Sequence, residues 1–168
     1  VRAFGDVVDI AEVVPIEPGR FLTFEYVGEF DYFSESPSGR RRRGSLCTSV
    51  DAAFVHRSSS GALELALIEW KYTESYEPKD AEPHKDATRR RRYGAALTAP
   101  DSPVWAALVP VEDLFAEPLY QLVRQQLLAH AIEVDHRTPL SKVRIIHVLS
   151  PANDGYQGSV HRASLQAL

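Results

Sequence analysis

Three charged residues at the ends of two apolar runs, Asp51, Glu69 and Lys71, are the strongest candidates for chemistry in this sequence. Two carboxylates held side by side bind a divalent cation such as Mg²⁺, which makes bound water nucleophilic near neutral pH. A neighbouring lysine supplies a positive charge that orients the attacking water. The combination of residue types therefore indicates metal-assisted hydrolysis, provided that the fold brings the three side chains together.

A β-hairpin is the element that must position them. The apolar runs Val50–Val55 and Leu63–Trp70 are separated by a polar cluster, Ser58–Gly61, which is typical of a hairpin turn. With the turn centred near Ser60, residues whose numbers sum to 120 lie opposite one another. The pattern predicts two antiparallel strands in that register.

This register has a direct consequence for the charged residues. Asp51 faces Glu69 across the hairpin, and Lys71 lies on the same side of the sheet because side chains alternate along a strand. Carboxylates directly opposite one another destabilise a sheet unless something neutralises them. A bound metal ion does so, and a structural ion network with Lys71 is an alternative.

A solvated edge hairpin is a further alternative for the same residues. Against it, Ala66–Ile68 precedes Glu69 and Trp70 follows it, so the second strand has the continuous apolar character of a strand buried on both faces. Unpaired charges are costly to bury. The residues themselves therefore favour a metal site.

Asp51, followed after a hairpin by Glu69-x-Lys71 at the end of an apolar strand, resembles the PD-(D/E)XK nuclease superfamily, which includes many restriction-endonuclease-like proteins. Val50 stands where the name of the motif has proline. The resemblance implies that Asp51 and Glu69 hold Mg²⁺, for which Mn²⁺ substitutes, with the backbone carbonyl of Trp70 as a third ligand. It also implies that Lys71 orients and activates the attacking water.

The predicted order of elements is similar to that of the superfamily. A strand in Phe21–Phe33 precedes the hairpin, and a helix in Glu117–Val134 and a strand in Val143–Leu149 follow it. The resemblance implies an α/β fold, an α/β/α sandwich with a mixed central sheet. We expect one domain over residues 1–168, with its core at roughly 20–150. The helix that opens the superfamily core is missing or lies in a part of a longer chain, so any carboxylate that it contributes in similar proteins cannot be assigned.

Other segments carry weaker patterns. Val1–Pro18 is predicted to be irregular or a short strand, and Ser34–Ser45 a loop. Thr88–Leu97 has the composition of a helix start, and Pro151–Leu168 reads as a polar loop. The sequence contains no methionine, even at position 1, so we expect it to be part of a longer chain.

Accessory residues are predicted from position. Glu25 is a candidate outer carboxylate, and Gln121, Arg124 and Gln125 form a polar stripe on the predicted helix. Helices that follow the motif flank the site in similar proteins, so the stripe is a candidate for contacts to phosphate or water. A solvated helix face is the alternative. His147, inside an apolar run, is predicted to be a core residue.

Two arginine runs are candidates for contacts to nucleic-acid phosphates, although solvated loops are equally consistent with them. The eight residues are Arg40, Arg41, Arg42, Arg43, Arg89, Arg90, Arg91 and Arg92. A net charge of −4 argues against an indiscriminately basic nucleic-acid coat. DNA is the partner that the resemblance implies, and a homodimer is left open.

Composition excludes several classes. No apolar run approaches the length of a membrane span, and a single cysteine, Cys47, rules out an internal disulfide framework and suits the cytoplasm. Zinc motifs, a phosphate-binding loop and a serine-hydrolase elbow are absent from the sequence. The resemblance to the PD-(D/E)XK superfamily implies a Mg²⁺-dependent deoxyribonuclease of restriction, repair or defence, and this is the function that we predict. A non-catalytic nucleic-acid-binding module and an interaction domain are the alternatives.

Overall fold

A computed structural model describes residues 8–36, 47–74, 76, 83–104 and 110–159 of the 168-residue chain. The fold is α/β, with a mixed sheet of five strands flanked by helices, and it is compatible with the restriction-endonuclease-like architecture that the sequence predicts. The strands are β1 (Glu12–Val14), β2 (Thr23–Tyr26), β3 (Val50–Arg57), β4 (Leu63–Lys71) and β5 (Lys142–Leu149). The helices are α1 (Pro83–Thr98) and α2 (Leu119–Glu133), and a 3₁₀ turn lies at Asp113–Phe115.

The predicted hairpin is formed by β3 and β4. Its register pairs Ala52 with Ile68, and the residue numbers of each pair through Arg57 and Leu63 sum to 120, as the sequence predicts. The turn closes through a 2.9 Å hydrogen bond from the Ser58 amide to the Ala62 carbonyl. Gly61 has a φ of 85°, a left-handed conformation that favours glycine, so the turn is encoded in the sequence.

The sheet places the hairpin at its centre. On one side β4 pairs with β5 in parallel, and the chain between them contains both helices. On the other side β1 and β2 both pair with β3, antiparallel and at opposite ends of it. Strand β4 therefore has hydrogen-bonded neighbours on both sides, which agrees with its continuous apolar sequence.

The two faces of the sheet carry different clusters. One face, which we call the helix-covered face, packs against α1 and α2 and includes Leu65 and Leu67, both fully buried. The opposite face carries Ala66, Ile68 and Ile146. Each large side chain that is fully buried in this way stabilises the fold by about 1.5–3 kcal/mol.

Helix α2 forms because its apolar residues recur at helical spacing. The side chains that it buries against the helix-covered face include Val123, Leu127 and Ile132. The predictions of this helix and of β5 are confirmed within two residues at each end. Helix α1 is also confirmed, but it begins earlier, at Pro83, so the second arginine run lies inside a helix.

One prediction of a strand was too long. Phe21–Phe33 is rich in aromatic residues, yet only Thr23–Tyr26 is a strand. Gly28, two residues after the strand, has a φ of 77°, and this left-handed backbone interrupts an extended chain; Glu25, within the strand, has a φ of 50°. Tyr32 and Phe33 therefore pack against the core from an irregular segment, whereas Phe21 and Phe24 are exposed.

The C-terminal prediction also needs correction. Residues 154–159, predicted as loop, form a short helix that we call the C-terminal helical segment. The Asn153 side chain accepts a 3.1 Å hydrogen bond from the Tyr156 amide, in the manner of a helix cap. Tyr156 is buried. This buried aromatic side chain and the cap stabilise the short helix, although the segment has no long periodic pattern of apolar residues. No helix in the described part of the chain is long and apolar enough to span a membrane.

Candidate active site

The three charged residues meet at the end of the hairpin, on the helix-covered face. The register of β3 and β4 extends to place Asp51 opposite Glu69. The Asp51 Oδ2 atom accepts a 2.9 Å hydrogen bond from the backbone amide of Trp70. The Lys71 Nζ atom contacts the Glu69 Oε1 atom at 2.7 Å. The fold therefore brings together the side chains that the sequence singles out.

Glu69 and Lys71 are almost completely removed from water, with 3% and 5% of their surface exposed. Burial raises the pKa of the Glu69 carboxyl, and the nearby Asp51 charge also raises it, while Lys71 opposes both. Burial acts to lower the pKa of Lys71, but its hydrogen bond to Glu69 and the surrounding negative charge raise that pKa overall. Lys71 is therefore a cation at neutral pH.

Helix α2 supplies a second donor to the same carboxylate. The Gln121 Nε2 atom donates to Glu69 Oε1 at 2.7 Å. Both donors use one oxygen of Glu69, so the carboxylate is held in a single orientation. Gln121 is one of the residues predicted from the polar stripe, and it is the member of that stripe that reaches the hairpin carboxylates.

The other two residues of the stripe contact neighbouring elements. Arg124 donates from Nε to the Thr48 Oγ1 atom at 3.1 Å and from its terminal nitrogen to the Cys47 carbonyl at 3.4 Å. Gln125 Oε1 lies 3.2 Å from the His147 Nε2 atom. These contacts dock α2 onto the start of β3 and onto β5, and they hold Gln121 over Glu69.

His147 belongs to the surroundings of the site rather than to the general core. It is the register partner of Glu69 on the parallel strand β5 and is half-buried. Burial lowers the pKa of His147, and the Lys71 charge lowers it further, which favours the neutral imidazole. The sequence did not reveal this position because the pairing of β5 with β4 is non-local.

Glu25, the predicted outer carboxylate, lies on the far side of β3. The register that pairs Thr23 with Ala53 places Glu25 at the position opposite Asp51. The residue is exposed, and its backbone is left-handed. Glu25 therefore lies in the same row across the sheet as Asp51 and Glu69.

A second buried carboxylate, Glu35, was not found from the sequence. It accepts hydrogen bonds from the Thr48 amide at 2.8 Å, from the Thr48 hydroxyl at 2.6 Å and from the Tyr93 hydroxyl. Burial raises the pKa of Tyr93, and the hydrogen bond to Glu35 raises it further. Thr48 also bonds Arg124, so this network fixes the chain just before Asp51.

The arginine runs have different outcomes. Arg40–Arg43 lies outside the described residues. In the second run, Arg89 donates to the Phe115 carbonyl at 2.9 Å and Arg92 to the Glu35 carbonyl at 3.3 Å, so both help to hold the fold. The other two are more exposed: Arg90 forms an ion pair with Glu112, and Arg91 lies on the surface of α1.

The donor atoms of the site suit a particular kind of metal ion. Within the described ranges, no three histidine, cysteine, aspartate or glutamate side chains are grouped so that they could hold a metal. Asp51 and Glu69 offer two hard carboxylate oxygen donors, and the Trp70 carbonyl faces β3 because its amide does. Mg²⁺ typically binds one or two carboxylates and keeps several waters, so this set fits Mg²⁺ or Mn²⁺ better than zinc.

Comparison with known proteins gives one match. No curated protein and no solved structure matches the chain. The family model described as "Restriction Endonuclease associating with ARP" matches residues 3–168, nearly the whole chain. The fold described above is compatible with that description. The chain belongs to this family of restriction-endonuclease-like proteins.

Proposed function

We propose that this domain is a PD-(D/E)XK nuclease that hydrolyses DNA phosphodiester bonds with Mg²⁺, for which Mn²⁺ substitutes. The observation that carries the proposal is the placement of Asp51 opposite Glu69, with Lys71 bonded to Glu69. An opposed pair of carboxylates beside one ammonium group has the composition of a metal site for phosphodiester hydrolysis. Membership of a restriction-endonuclease-like family supports the same function.

Each residue has a distinct role in this proposal. Asp51, Glu69 and the carbonyl of Trp70 would hold the ion, which would supply Lewis-acid charge at the phosphate and lower the pKa of bound water. Lys71 directs its ammonium group at the attacking water and orients it. Gln121 keeps the Glu69 carboxylate in one orientation through its 2.7 Å hydrogen bond.

DNA is the proposed partner, and positive charge outside the site would hold it. Arg90 and Arg91 lie on the exposed surface of α1, and Arg40–Arg43 is a second source of charge. The family description also names association with ARP, and we propose that this chain has such a partner. Restriction, repair or defence in the cytoplasm, as a monomer or a homodimer, is the proposed setting.

A second candidate function follows from a specific observation. Lys71 already neutralises Glu69, and no third metal-binding side chain joins the pair among the described residues. This arrangement also suits a non-catalytic module in which the ion pair stabilises the hairpin and the family's association with a partner is the main activity. Metal binding separates the two functions, because a structural ion pair needs no cation.

The deciding experiment compares two glutamates of β4. Purified wild-type protein, Glu69→Gln and the control Glu64→Gln are incubated with supercoiled plasmid and Mg²⁺, Mn²⁺ or EDTA. Glu64 is also buried and ion-paired, to Arg144, but it lies on the opposite face. The proposal expects metal-dependent cleavage by the wild type and the Glu64 variant only. Cleavage by all three proteins, or cleavage in EDTA, would contradict it.

A further inference from the structure

Tyr76 is connected to the candidate site through Gln121. Its hydroxyl group donates to the Gln121 Oε1 atom at 3.2 Å, while Gln121 Nε2 donates to Glu69 Oε1 at 2.7 Å. Burial raises the pKa of Tyr76, so the hydroxyl keeps its proton at neutral pH. The result is a chain of donors that runs from Tyr76 through Gln121 to the carboxylate.

The direction of this chain follows from the chemistry of the three groups. An ionised carboxylate only accepts hydrogen bonds, so Gln121 must turn its NH₂ group toward Glu69. The amide oxygen then points away, and it needs a donor of its own in a partly buried position. The Tyr76 hydroxyl meets that need. Hydrogen bonds aligned in one direction polarise one another, which strengthens the bond to Glu69.

The C-terminal helical segment holds Tyr76 in place. The Ser159 hydroxyl lies 3.2 Å from the Tyr76 amide nitrogen and 3.0 Å from the Tyr76 carbonyl oxygen, so both backbone groups face it. The rings of Tyr76 and Tyr156 pack with centroids 6.0 Å apart. Ser159 and Tyr156 are both buried.

The same part of the chain also contacts the end of the motif strand. The Asn153 side-chain amide donates to the Lys71 carbonyl at 3.3 Å, and the Ser150 amide donates to the same carbonyl at 3.3 Å. Residues 150–159 therefore contact the site at two points, at the backbone of Lys71 and at Tyr76. Such double attachment fixes the position of the Tyr76 hydroxyl relative to the carboxylates.

We propose that Tyr76 is a positioning residue of the active site: its hydroxyl sets the orientation of the Gln121 amide, which in turn orients Glu69. The C-terminal helical segment thereby becomes part of the functional unit. The catalytic consequence rests on the proposed nuclease function, but the orientation of Gln121 does not. The two are therefore tested by separate measurements.

The first measurement follows the Gln121 side-chain amide by ¹⁵N NMR, with its signal identified by its absence in Gln121→Ala. Tyr76→Phe keeps the ring and removes the hydroxyl; Tyr156→Phe is the matched control on the neighbouring ring. We expect the signal to shift and its hydrogens to exchange faster with water in Tyr76→Phe, but not in Tyr156→Phe. An unchanged Gln121 signal in a folded Tyr76→Phe protein would overturn the proposal.

The second measurement tests the consequence for catalysis with Mn²⁺ and plasmid. Tyr76→Phe should lower kcat by about 10-fold, as loss of an outer-shell partner does, and leave KM for DNA unchanged. Because Tyr76 acts through Gln121, the double variant Tyr76→Phe/Gln121→Ala should be no slower than Gln121→Ala alone. Additive losses would overturn the positioning role.

The outcomes separate the two proposals. A wild-type protein that neither binds Mn²⁺ nor cleaves DNA overturns the nuclease function, and the NMR measurement still decides whether Tyr76 orients Gln121. A wild-type protein that cleaves, with a Tyr76→Phe variant of unchanged kcat and unchanged melting temperature, overturns the positioning role alone. Melting temperatures of both phenylalanine variants confirm that each is folded.

Discussion

A buried glutamate lies near each end of β4, and the two glutamates differ in the groups that neutralise their charge. Glu64 is 7% exposed and lies on the opposite face, where Arg144 Nε donates to it at 2.8 Å and the His56 Nε2 atom is 4.0 Å away. Glu69 is 3% exposed and lies on the helix-covered face, where Lys71 contacts it at 2.7 Å. Each glutamate therefore has one fully charged basic partner.

The second carboxylate distinguishes the two ends. Asp51 lies opposite Glu69, and the ammonium group of Lys71 contacts Glu69. The guanidinium that pairs with Glu64 is also more open to water: the Arg144 side chain is 33% exposed, against 6% for Lys71. Excess negative charge that is held away from water attracts a cation. A carboxylate that is paired with one cation beside water is already neutralised and needs no further ion. The two ends therefore differ in how their carboxylates and cations are arranged, and we expect an added cation at the Glu69 end.

The largest expected effect comes from removing one charge at each end. In Glu69→Gln, we expect metal binding and DNA cleavage to be lost together, because one of the two proposed carboxylate ligands is gone. In Glu64→Gln, both should be retained, with a loss of stability of about 1–3 kcal/mol as Arg144 loses its partner. Isothermal titration with Mn²⁺, plasmid cleavage and urea unfolding measure the three quantities.

Equal loss of metal binding in both variants would contradict the proposed difference between the two ends of β4. Metal binding would then depend on both glutamates. Glu69→Gln also leaves Lys71 without its main partner in a buried position. Its unfolding free energy is therefore measured alongside, and cleavage is expressed per folded molecule. A variant that binds Mn²⁺ with wild-type affinity would show that the site is elsewhere.

Lys71→Ala tests the cation rather than the carboxylates. Both proposed ligands remain, so metal and DNA binding should persist, while cleavage falls by about 10²–10⁴-fold because the group that orients water is missing. Affinity for the metal should change modestly, since two carboxylates then face each other without an ammonium group. Single-turnover cleavage at saturating Mn²⁺ measures the rate; an undiminished rate would assign Lys71 a structural role only.

Metal-linked stability gives a smaller effect that does not depend on activity. An ion that binds only the folded protein raises its unfolding free energy by about 2.7 kcal/mol at 100 times Kd. We expect this increase with Mg²⁺ or Mn²⁺ in the wild type and in Glu64→Gln, and its absence in Asp51→Asn. Urea unfolding with metal and with EDTA measures it. A wild-type protein without any increase would favour the non-catalytic alternative.

The smallest expected effect concerns the proposed binding of DNA by α1. A site with excess negative charge repels phosphate, so affinity must come from cations outside it. Arg91→Ser should reduce the salt dependence of DNA binding by about one in slope, without loss of stability. Arg89→Ser should destabilise the protein, because Arg89 bonds the Phe115 carbonyl. Titrations at several salt concentrations measure the slope, and an unchanged slope in Arg91→Ser would remove this residue from the DNA interface.

The local part of the site could be predicted from the sequence. The turn around Ser60 sets a register that depends on a few neighbouring residues. Counting residues outward from this turn therefore predicts that Asp51 lies opposite Glu69. The stripe on α2 is likewise a matter of helical spacing, and Gln121 reaches Glu69 as a residue of that stripe. The roles of these residues as ligands and catalysts remain predictions.

The non-local part could not be predicted. Glu35 and Tyr93 are 58 residues apart, and Tyr76 and Ser159 are 83 apart. No periodic pattern links such positions, because hydrogen bonds between side chains depend on how elements pack in three dimensions. The left-handed backbone at Glu25 could not be predicted either, because a glutamate in the sequence does not indicate a positive φ.

The parallel pairing of β4 with β5 has a consequence for the order of folding. The hairpin that carries the carboxylates closes through a short turn, an event of about 1–10 μs. Strand β5 pairs only after the chain through α1 and α2 has returned, and Gln121 lies 52 residues from Glu69. Contacts that close long loops form slowly. We therefore expect the carboxylates to meet early in folding, and the groups that orient them, from Gln121 to the C-terminal helical segment, to arrive last.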